Sequence, residues 1–471
     1  MTQQNYTATI RLGPLGLKNA ALFKVPPGAP RVDKHARWLG HLKGHWQEIG
    51  REYGERCGDL MRWIYDKWIG WAIINPKGKK NSILTIVEDA YKYEQHIRLL
   101  NPGLVAFMKG IADGAGRELD RAEHANTCSN YEKVLFMNCY SLIRRNSPVA
   151  QGRWGECTGL AVLPKASKEG KTLVGHNTQY GLSMGLYAVT YIASPEGFNT
   201  FWSLAPAGNI TWNVQMNDKG VVIAEFAGGK GDDALGVPSF LLQTDAIARA
   251  NNLQEAVDIL TLGNEDYRNQ SGRKTVLREG GGNWIVADQG NACVVETTGR
   301  RYAVRFPGDL GEKDFLIGSN IQFCSFSFDE ENVKTDIPMS KFGCDEGGDL
   351  PVPGPCTRYW SLYWGAMHNY GRMDEELLRS AQFLAGHHWY DRSGNRIDYV
   401  KDEKGQWIPV HYAHDHSTVC GHSGGYPEKF NNECPFSKIA SVDDKIISWT
   451  LGRACSWEGD WDSVVLPLKA S

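Results

Sequence analysis

Apolar residues in the first third of the chain recur at helical spacing. Leu39, Leu42, Trp46, Ile49, Tyr53, Cys57, Leu60, Met61, Ile64 and Trp68 follow one another mostly at intervals of three and four. That spacing predicts a helix from Asp33 to about Ile74 with one apolar stripe. A second helix is predicted over Ser82–Leu100, stopped by the breaker Asn101-Pro102-Gly103. Leu104–Leu119 and Tyr131–Ile143 predict two more. Residues 1–34, rich in Gly, Pro and polar side chains, read as an irregular arm or an edge strand.

The pattern changes at Gly152-Arg153-Trp154-Gly155. Short apolar runs bounded by turn residues follow, as strands require. They are Leu160–Leu163, Thr172–Asn177, Tyr187–Ile192, Thr200–Leu204, Ile210–Met216 and Val221–Phe226, the last two joined by the hairpin turn Asn217-Asp218-Lys219-Gly220. Two helices are predicted over about 238–250 and 253–262. Strands return at Asn283–Ala287, Ala292–Thr297, Tyr302–Arg305 and Phe315–Gly318, and helices near Tyr359–Tyr370 and Asp374–Leu384. Strand run, helix pair, strand run, helix pair suits an α+β sandwich of antiparallel sheets covered by helices on each side.

Composition narrows the function classes. The chain has 471 residues, 42% of them hydrophobic, with a net charge of −3. A sizeable core can form, and no basic excess points to nucleic acid. No apolar run reaches the length of a membrane span, so no membrane partner is expected. The polar start Met1-Thr2-Gln3-Gln4-Asn5 lacks a secretory pattern, which makes a cytoplasmic location the expectation. Eleven cysteines are present, without the paired CxxC array of a structural zinc site. In a cytosolic chain most of them would be buried and reduced.

One cysteine stands out by position. Cys157 opens Cys-Thr-Gly-Leu-Ala-Val-Leu, at the head of the first strand of the β-rich part. If the preceding peptide bond were cut, Cys157 would carry a thiol and a free α-amine. An α-amine has an ordinary pKa of about 7.7–8.0, so it can take the thiol proton near neutral pH. The plain alternative is a core cysteine at a strand edge.

Several further segments accompany it. Met108-Lys109-Gly110-Ile111-Ala112-Asp113-Gly114-Ala115-Gly116 lies before Cys157 on a predicted helix, and Gly175-His176-Asn177-Thr178-Gln179 lies on the strand after it. Gly318-Ser319-Asn320, Thr357-Arg358-Tyr359 and Val419-Cys420-Gly421-His422 follow in that order. Together with Cys157 these resemble the acyl-coenzyme A:6-aminopenicillanate acyltransferase-like family, the isopenicillin N acyltransferase relatives among the N-terminal-nucleophile hydrolases. The resemblance spans roughly residues 40–460.

That resemblance implies a four-layer αββα fold, with a helical prosegment over residues 1–156 and a catalytic part over 157–471. It implies a zymogen that cleaves itself between Glu156 and Cys157, its two chains staying associated, and then makes or breaks amide bonds through a thioester on Cys157. Asn320 would stabilise the oxyanion, Arg358 would lie near the nucleophile, and Asn177 and Gln179 would orient it. Tyr180, Trp202 and Trp212 would line an acyl pocket. Substrates would be small amides, peptide-like molecules or acyl thioesters; homo-oligomerisation stays open. No cofactor and no metal are implied: the stretch His411-Tyr412-Ala413-His414-Asp415-His416 beside Cys420 and His422 adjoins the family's own Cys-x-His segment, which needs none.

Two positions depart from the family pattern. Glu156 stands where relatives carry Gly, and Gln179 where they carry Asp. Glycine reaches strained backbone cheaply and Glu does not; Gln can hydrogen-bond but brings no negative charge. These departures keep two rivals open: an uncleaved relative that acts as a binding protein, and a conventional Cys-His hydrolase using Cys157 or Cys420.

Overall fold

The first element among the described residues is a strand. In the computed structural model, β1 (Arg37–Gly44) precedes α1 (Trp46–Ile73). The structure describes residues 35–73, 82–139, 142, 157–181, 187–228, 235–323, 355–391, 393–402, 404–410, 418–420, 432–452, 454–456 and 461–466. The helix expected from Asp33 thus starts only at Trp46. A break in register between Trp38 and His41 explains the misreading. A bulge of this kind lets Leu39 and Leu42, three apart, both be buried from a strand, which mimics helical spacing.

Next come α2 (Ile83–Leu100), α3 (Pro102–Gly114), α4 (Gly116–Leu119) and α5 (Asn130–Asn138). The predicted breaker works through Asn101. Its backbone N–H donates to Ile97 O and closes α2, while its side chain accepts from Gly103 N at 2.8 Å and opens α3. The glycine motif before Cys157 is a packing device. A Cβ on Gly110 or Gly114 would lie 2.1 or 2.0 Å from a backbone oxygen of α1, and one on Gly50 would lie 2.1 Å from Phe107 O of α3. Only glycines let these two helices approach so closely.

The remaining elements are β2 (Thr158–Val162), β3 (Leu173–Gly181), β4 (Ala188–Pro195), β5 (Phe201–Pro206), β6 (Val214–Asn217), β7 (Val222–Ala227), α6 (Ser239–Arg249), α7 (Leu253–Leu262), α8 (Glu265–Ser271), β8 (Gly282–Asp288), β9 (Asn291–Thr297), β10 (Tyr302–Arg305), β11 (Phe315–Ser319), α9 (Pro355–His368), α10 (Glu375–Arg379), β12 (Trp389–Tyr390), β13 (Arg396–Ile397), β14 (Tyr399–Lys401), β15 (Trp407–Pro409), β16 (Asn432–Ser441), β17 (Ile446–Leu451) and β18 (Asp462–Val465). One sheet has eight strands in the order β1-β4-β5-β6-β7-β8-β9-β10; a second has six, β11-β2-β3-β16-β17-β18. β12–β13 and β14–β15 form two-stranded ribbons. Pairing between these strands is antiparallel, except that β1 runs parallel to β4.

Side-chain alternation separates the layers. On the six-stranded sheet, Ala161, Val174, Leu316, Phe436 and Ala440 join the core shared with the eight-stranded sheet. Their neighbours Leu160, Val162, Phe315, Ile317 and Ile439 join a second core with Tyr359 and Leu362 of α9. The helices α1, α6 and α7 cover the other face of the larger sheet. The chain therefore adopts the α+β, four-layer αββα architecture expected from the resemblance. The N-terminal part is not purely helical: β1 extends the large sheet, and α1 and α3 share its core.

Among the described residues, no helix is long and apolar enough to cross a membrane. Cys57, Cys128, Cys139, Cys157, Cys293 and Cys420 are buried thiols, Cys455 is a half-buried thiol, and Cys356 is disulfide-bonded.

Candidate active site

Cys157 immediately precedes β2, an interior strand between β11 and β3. Thr158 pairs with Ser319 on one side and with Asn177 on the other. One step further along both ladders sets Asn320 and Thr178 on either side of Cys157. Cys157 joins the same inter-sheet core as Ala161, so this is the inner face.

Across the sandwich, Asn213 lies just ahead of β6 with φ +63°. That left-handed conformation is one Asn tolerates better than most residues. Its Nδ2 lies 3.7 Å from Cys157 Sγ, 3.1 Å from Glu225 Oε2 and 3.2 Å from Glu225 O. The Glu225 carbonyl can only accept, so the amide nitrogen must face it. Thr178 Oγ1 donates to Asn213 Oδ1 at 3.0 Å, which holds the amide in that sense.

His176 and Lys438 complete the inner-face cluster. His176 Nε2 lies 2.9 Å from Glu225 O, so it carries the proton and donates; Nδ1 is then bare, 3.4 Å from Thr178 Oγ1. Burial, reinforced by the neighbouring Lys438 charge, pushes His176 down to about 3. Lys438, opposite His176 on β16, is fully buried and donates from Nζ to Trp212 O at 2.5 Å.

The connection that presents Asn213 is held from the N-terminal part. Tyr53 Oη donates to Asn209 O at 2.9 Å and accepts from Gly208 N at 3.0 Å. Asn138 Nδ2 donates to Gly208 O at 2.9 Å, and its Oδ1 accepts from Ile210 N at 3.0 Å. Asn209 Nδ2 in turn donates to Met137 O at 2.5 Å.

On the flank, Arg358 of α9 is fully buried. Its Nε donates to Thr158 Oγ1 at 2.6 Å and its Nη2 to Asn320 Oδ1 at 3.0 Å. Asn320 Nδ2 donates to Ala227 O at the end of β7. Asn283 Nδ2 donates to Ser319 O at 2.7 Å and Ile321 O at 2.9 Å. The Asn320 corner of the small sheet is thereby stitched to the large one.

Of the residues expected at the site, Cys157, Asn320 and Arg358 thus converge on one end of the sandwich. Asn177 and Gln179 do not join them. Alternation along β3 turns both outward, where Asn177 Nδ2 donates to Leu384 O at 2.7 Å and Val419 O at 2.8 Å. Gln179 Nε2 donates to Thr418 O at 3.0 Å and Val419 O at 2.7 Å. These side-chain amides hold carbonyls of the outer layer, and no contact of theirs to Cys157 is seen among the described residues. Trp202 is buried against Trp449 of the other sheet, ring centroids 5.3 Å apart. Trp212 is buried against Trp68 and Phe240, at 6.0 and 4.7 Å. Both are core residues here. Tyr180 pairs with Glu433 in the β3–β16 ladder, but its side chain lies outside the described set, as do Glu156, His411, His414, His416 and His422.

Sequence reading missed Asn213, Thr178, Glu225 and Lys438. Lys438 left a signal, a cation within the mostly apolar strand Phe436-Ser437-Lys438-Ile439-Ala440. Asn213 left only its tolerance of a left-handed turn before a strand.

No protein-family model matches the chain, and no curated protein matches it. Among solved structures, it is similar to a mutant form of conjugated bile acid hydrolase from Clostridium perfringens, at 12% identity over 63% of this chain and 89% of that one, with a TM-score of 0.32. It is similar to penicillin V acylase from Agrobacterium tumefaciens at 10% identity, 63% and 83% coverage and a TM-score of 0.36. It is also similar to the Caenorhabditis elegans ortholog of N-acylethanolamine-hydrolyzing acid amidase, at 13% identity, 66% and 100% coverage and a TM-score of 0.33.

Proposed function

We propose that the chain is a self-processing amidase or acyltransferase that uses Cys157 as its N-terminal nucleophile. The observation that carries this is the buried Cys157 thiol at the head of an interior strand, with the Asn213 amide nitrogen 3.7 Å from Sγ and Asn320 next to it in register.

Processing begins when Cys157 Sγ attacks the Glu156 carbonyl carbon. The acyl group passes from nitrogen to sulfur, the amide C–N bond breaks, and the nitrogen takes up a proton as the new α-amine. Water then hydrolyses the thioester, releasing the Glu156 carboxylate and restoring the thiol. In turnover the α-amine accepts the thiol proton while Sγ attacks the substrate carbonyl. N–H groups of Asn320 and Asn213 stabilise the oxyanion, each such donor being worth about 2.7–4 kcal/mol in a dry site. Arg358 fixes the Asn320 amide by occupying its Oδ1. The proton returns to the leaving amine, and water or an acceptor amine then resolves the thioester. Substrates are small amides, peptide-like molecules or acyl thioesters.

Residues of the expected prosegment support the view that the cleaved chains stay together. Tyr53, Met137 and Asn138 grip the connection that carries Asn213, so removing them would release it. Intact-mass measurement of the purified protein tests the proposal. Two co-purifying fragments divided after residue 156 of 471 are expected, and Cys157→Ala should stay whole. An active preparation that remains one unbroken chain would overturn it.

A further inference from the structure

Three segments far apart in sequence meet on the outer side of the six-stranded sheet. His387 lies in the loop before β12, Cys420 in the segment 418–420, and Cys455 in the 3-10 turn Ala454–Ser456. One His nitrogen and the two Cys sulfurs all lie within 4.8 Å of one another. Cys420 is fully buried, and its backbone N–H donates to Gly386 O at 3.1 Å, which ties its segment to the residue beside His387.

We propose that His387, Cys420 and Cys455 form a structural site for a zinc ion, a role separate from the Cys157 chemistry. One imidazole and two thiols are a donor set for a borderline-soft cation, not for calcium or magnesium, which take oxygen ligands. Two thiolates and a neutral imidazole also balance a divalent ion, so a buried site needs no further counter-charge. Tetrahedral zinc with bonds of about 2.0–2.3 Å sets ligand atoms about 3.5–3.8 Å apart, so these three, within 4.8 Å of one another, need close by no more than about 1.3 Å. They fill three tetrahedral positions, leaving a fourth for water or a further side chain.

The location gives the ion a task. Asn177 holds Leu384 O and Val419 O, and Gln179 holds Thr418 O and Val419 O. The proposed ion therefore clamps the two segments that β3 grips from its outer face, three residues or fewer from each contact. It joins them to the turn that follows β17, linking residues 33 and 35 positions apart in sequence. Ligands so widely spaced form no short motif, so the CxxC criterion could not detect them.

The test uses the full-length chain purified under reducing conditions without chelator or immobilised metal. Elemental analysis should find close to one zinc per chain, falling at least tenfold in Cys455→Ser and His387→Ala but persisting in Cys157→Ala. Cobalt added to chelator-stripped protein should give a thiolate-to-cobalt charge-transfer band and tetrahedral d–d bands, both lost in Cys455→Ser. Cys455 is half-buried, so its variant tests the site without depending on the fully buried Cys420. Protein that neither retains zinc nor binds cobalt would overturn the proposal, as would a Cys420–Cys455 disulfide in protein alkylated at lysis. Metal content does not depend on chain cleavage, so this proposal and the one for Cys157 fail separately.

Discussion

Four consecutive residues of β3 split between two environments. His176 and Thr178 point inward, where Thr178 and Glu225 together set the Asn213 amide beside the Cys157 thiol. Asn177 and Gln179 point outward and hold backbone carbonyls of the outer layer. All four are buried polar side chains, yet the contacts seen toward the Cys157 thiol run through the inner pair. Burial and polarity alone therefore do not identify a contact toward the thiol. The face of the strand does, and on this strand it changes with every residue.

The sharpest way to break the comparison is to remove the inner-face thiol. Cys157→Ala should lower kcat/KM by at least about ten-thousandfold, as loss of a nucleophile does elsewhere. Next comes its partner across the sandwich. Asn213→Gly keeps a residue at ease at φ +63° but deletes the amide, and should lower kcat of the folded protein about 100- to 1,000-fold, with a stability loss of about 1–3 kcal/mol because Thr178 Oγ1 and Glu225 lose their buried partner. Asn213→Ala should lose similar activity and about 1–2 kcal/mol more stability, because Ala resists that backbone conformation. Activity retained in Asn213→Gly would remove this residue from the mechanism.

The outer face should answer differently. Gln179→Leu leaves Thr418 O without its donor inside the protein, a cost of up to about 3 kcal/mol. Urea unfolding should show that loss, while kcat of the folded fraction stays near wild type. A fall in kcat as large as that of Asn213→Gly would mean that the two faces are functionally coupled after all.

The sequence displayed layers better than contacts. Short apolar runs such as Leu160–Leu163 and Ala292–Thr297 mark strands because both of their faces are buried between layers, and that pattern is local. The start of α1 was obscured because a bulged strand can reproduce helical spacing at Leu39 and Leu42. Cys157, Asn320 and Arg358, singled out by their motifs, come together at one end of the sandwich. Asn213 is not singled out, since its importance arises from Glu225, twelve residues away on another strand, and from a register that no motif records. Gln179 shows the opposite case: it occupies a motif position, while strand alternation turns its side chain to the other face.

Acid titration gives the finest division between the faces. Burial and Lys438 hold folded His176 near 3, against about 6.5 in an unfolded chain. Between these values the unfolded state binds the proton and the native state does not. The stability at stake is therefore fully present above about pH 6.5 and is lost as pH falls toward 3. From pH 7 to pH 5 this one residue should remove about 2 kcal/mol. His176→Gln retains a donor for Glu225 O but cannot titrate, so only the inner-face share should vanish. Its stability-against-pH curve should be flatter than wild type by about 2 kcal/mol between pH 7 and pH 5. Equal slopes in the two proteins would mean that His176 already carries a proton in the native fold, and that the inner face is wetter than its packing implies.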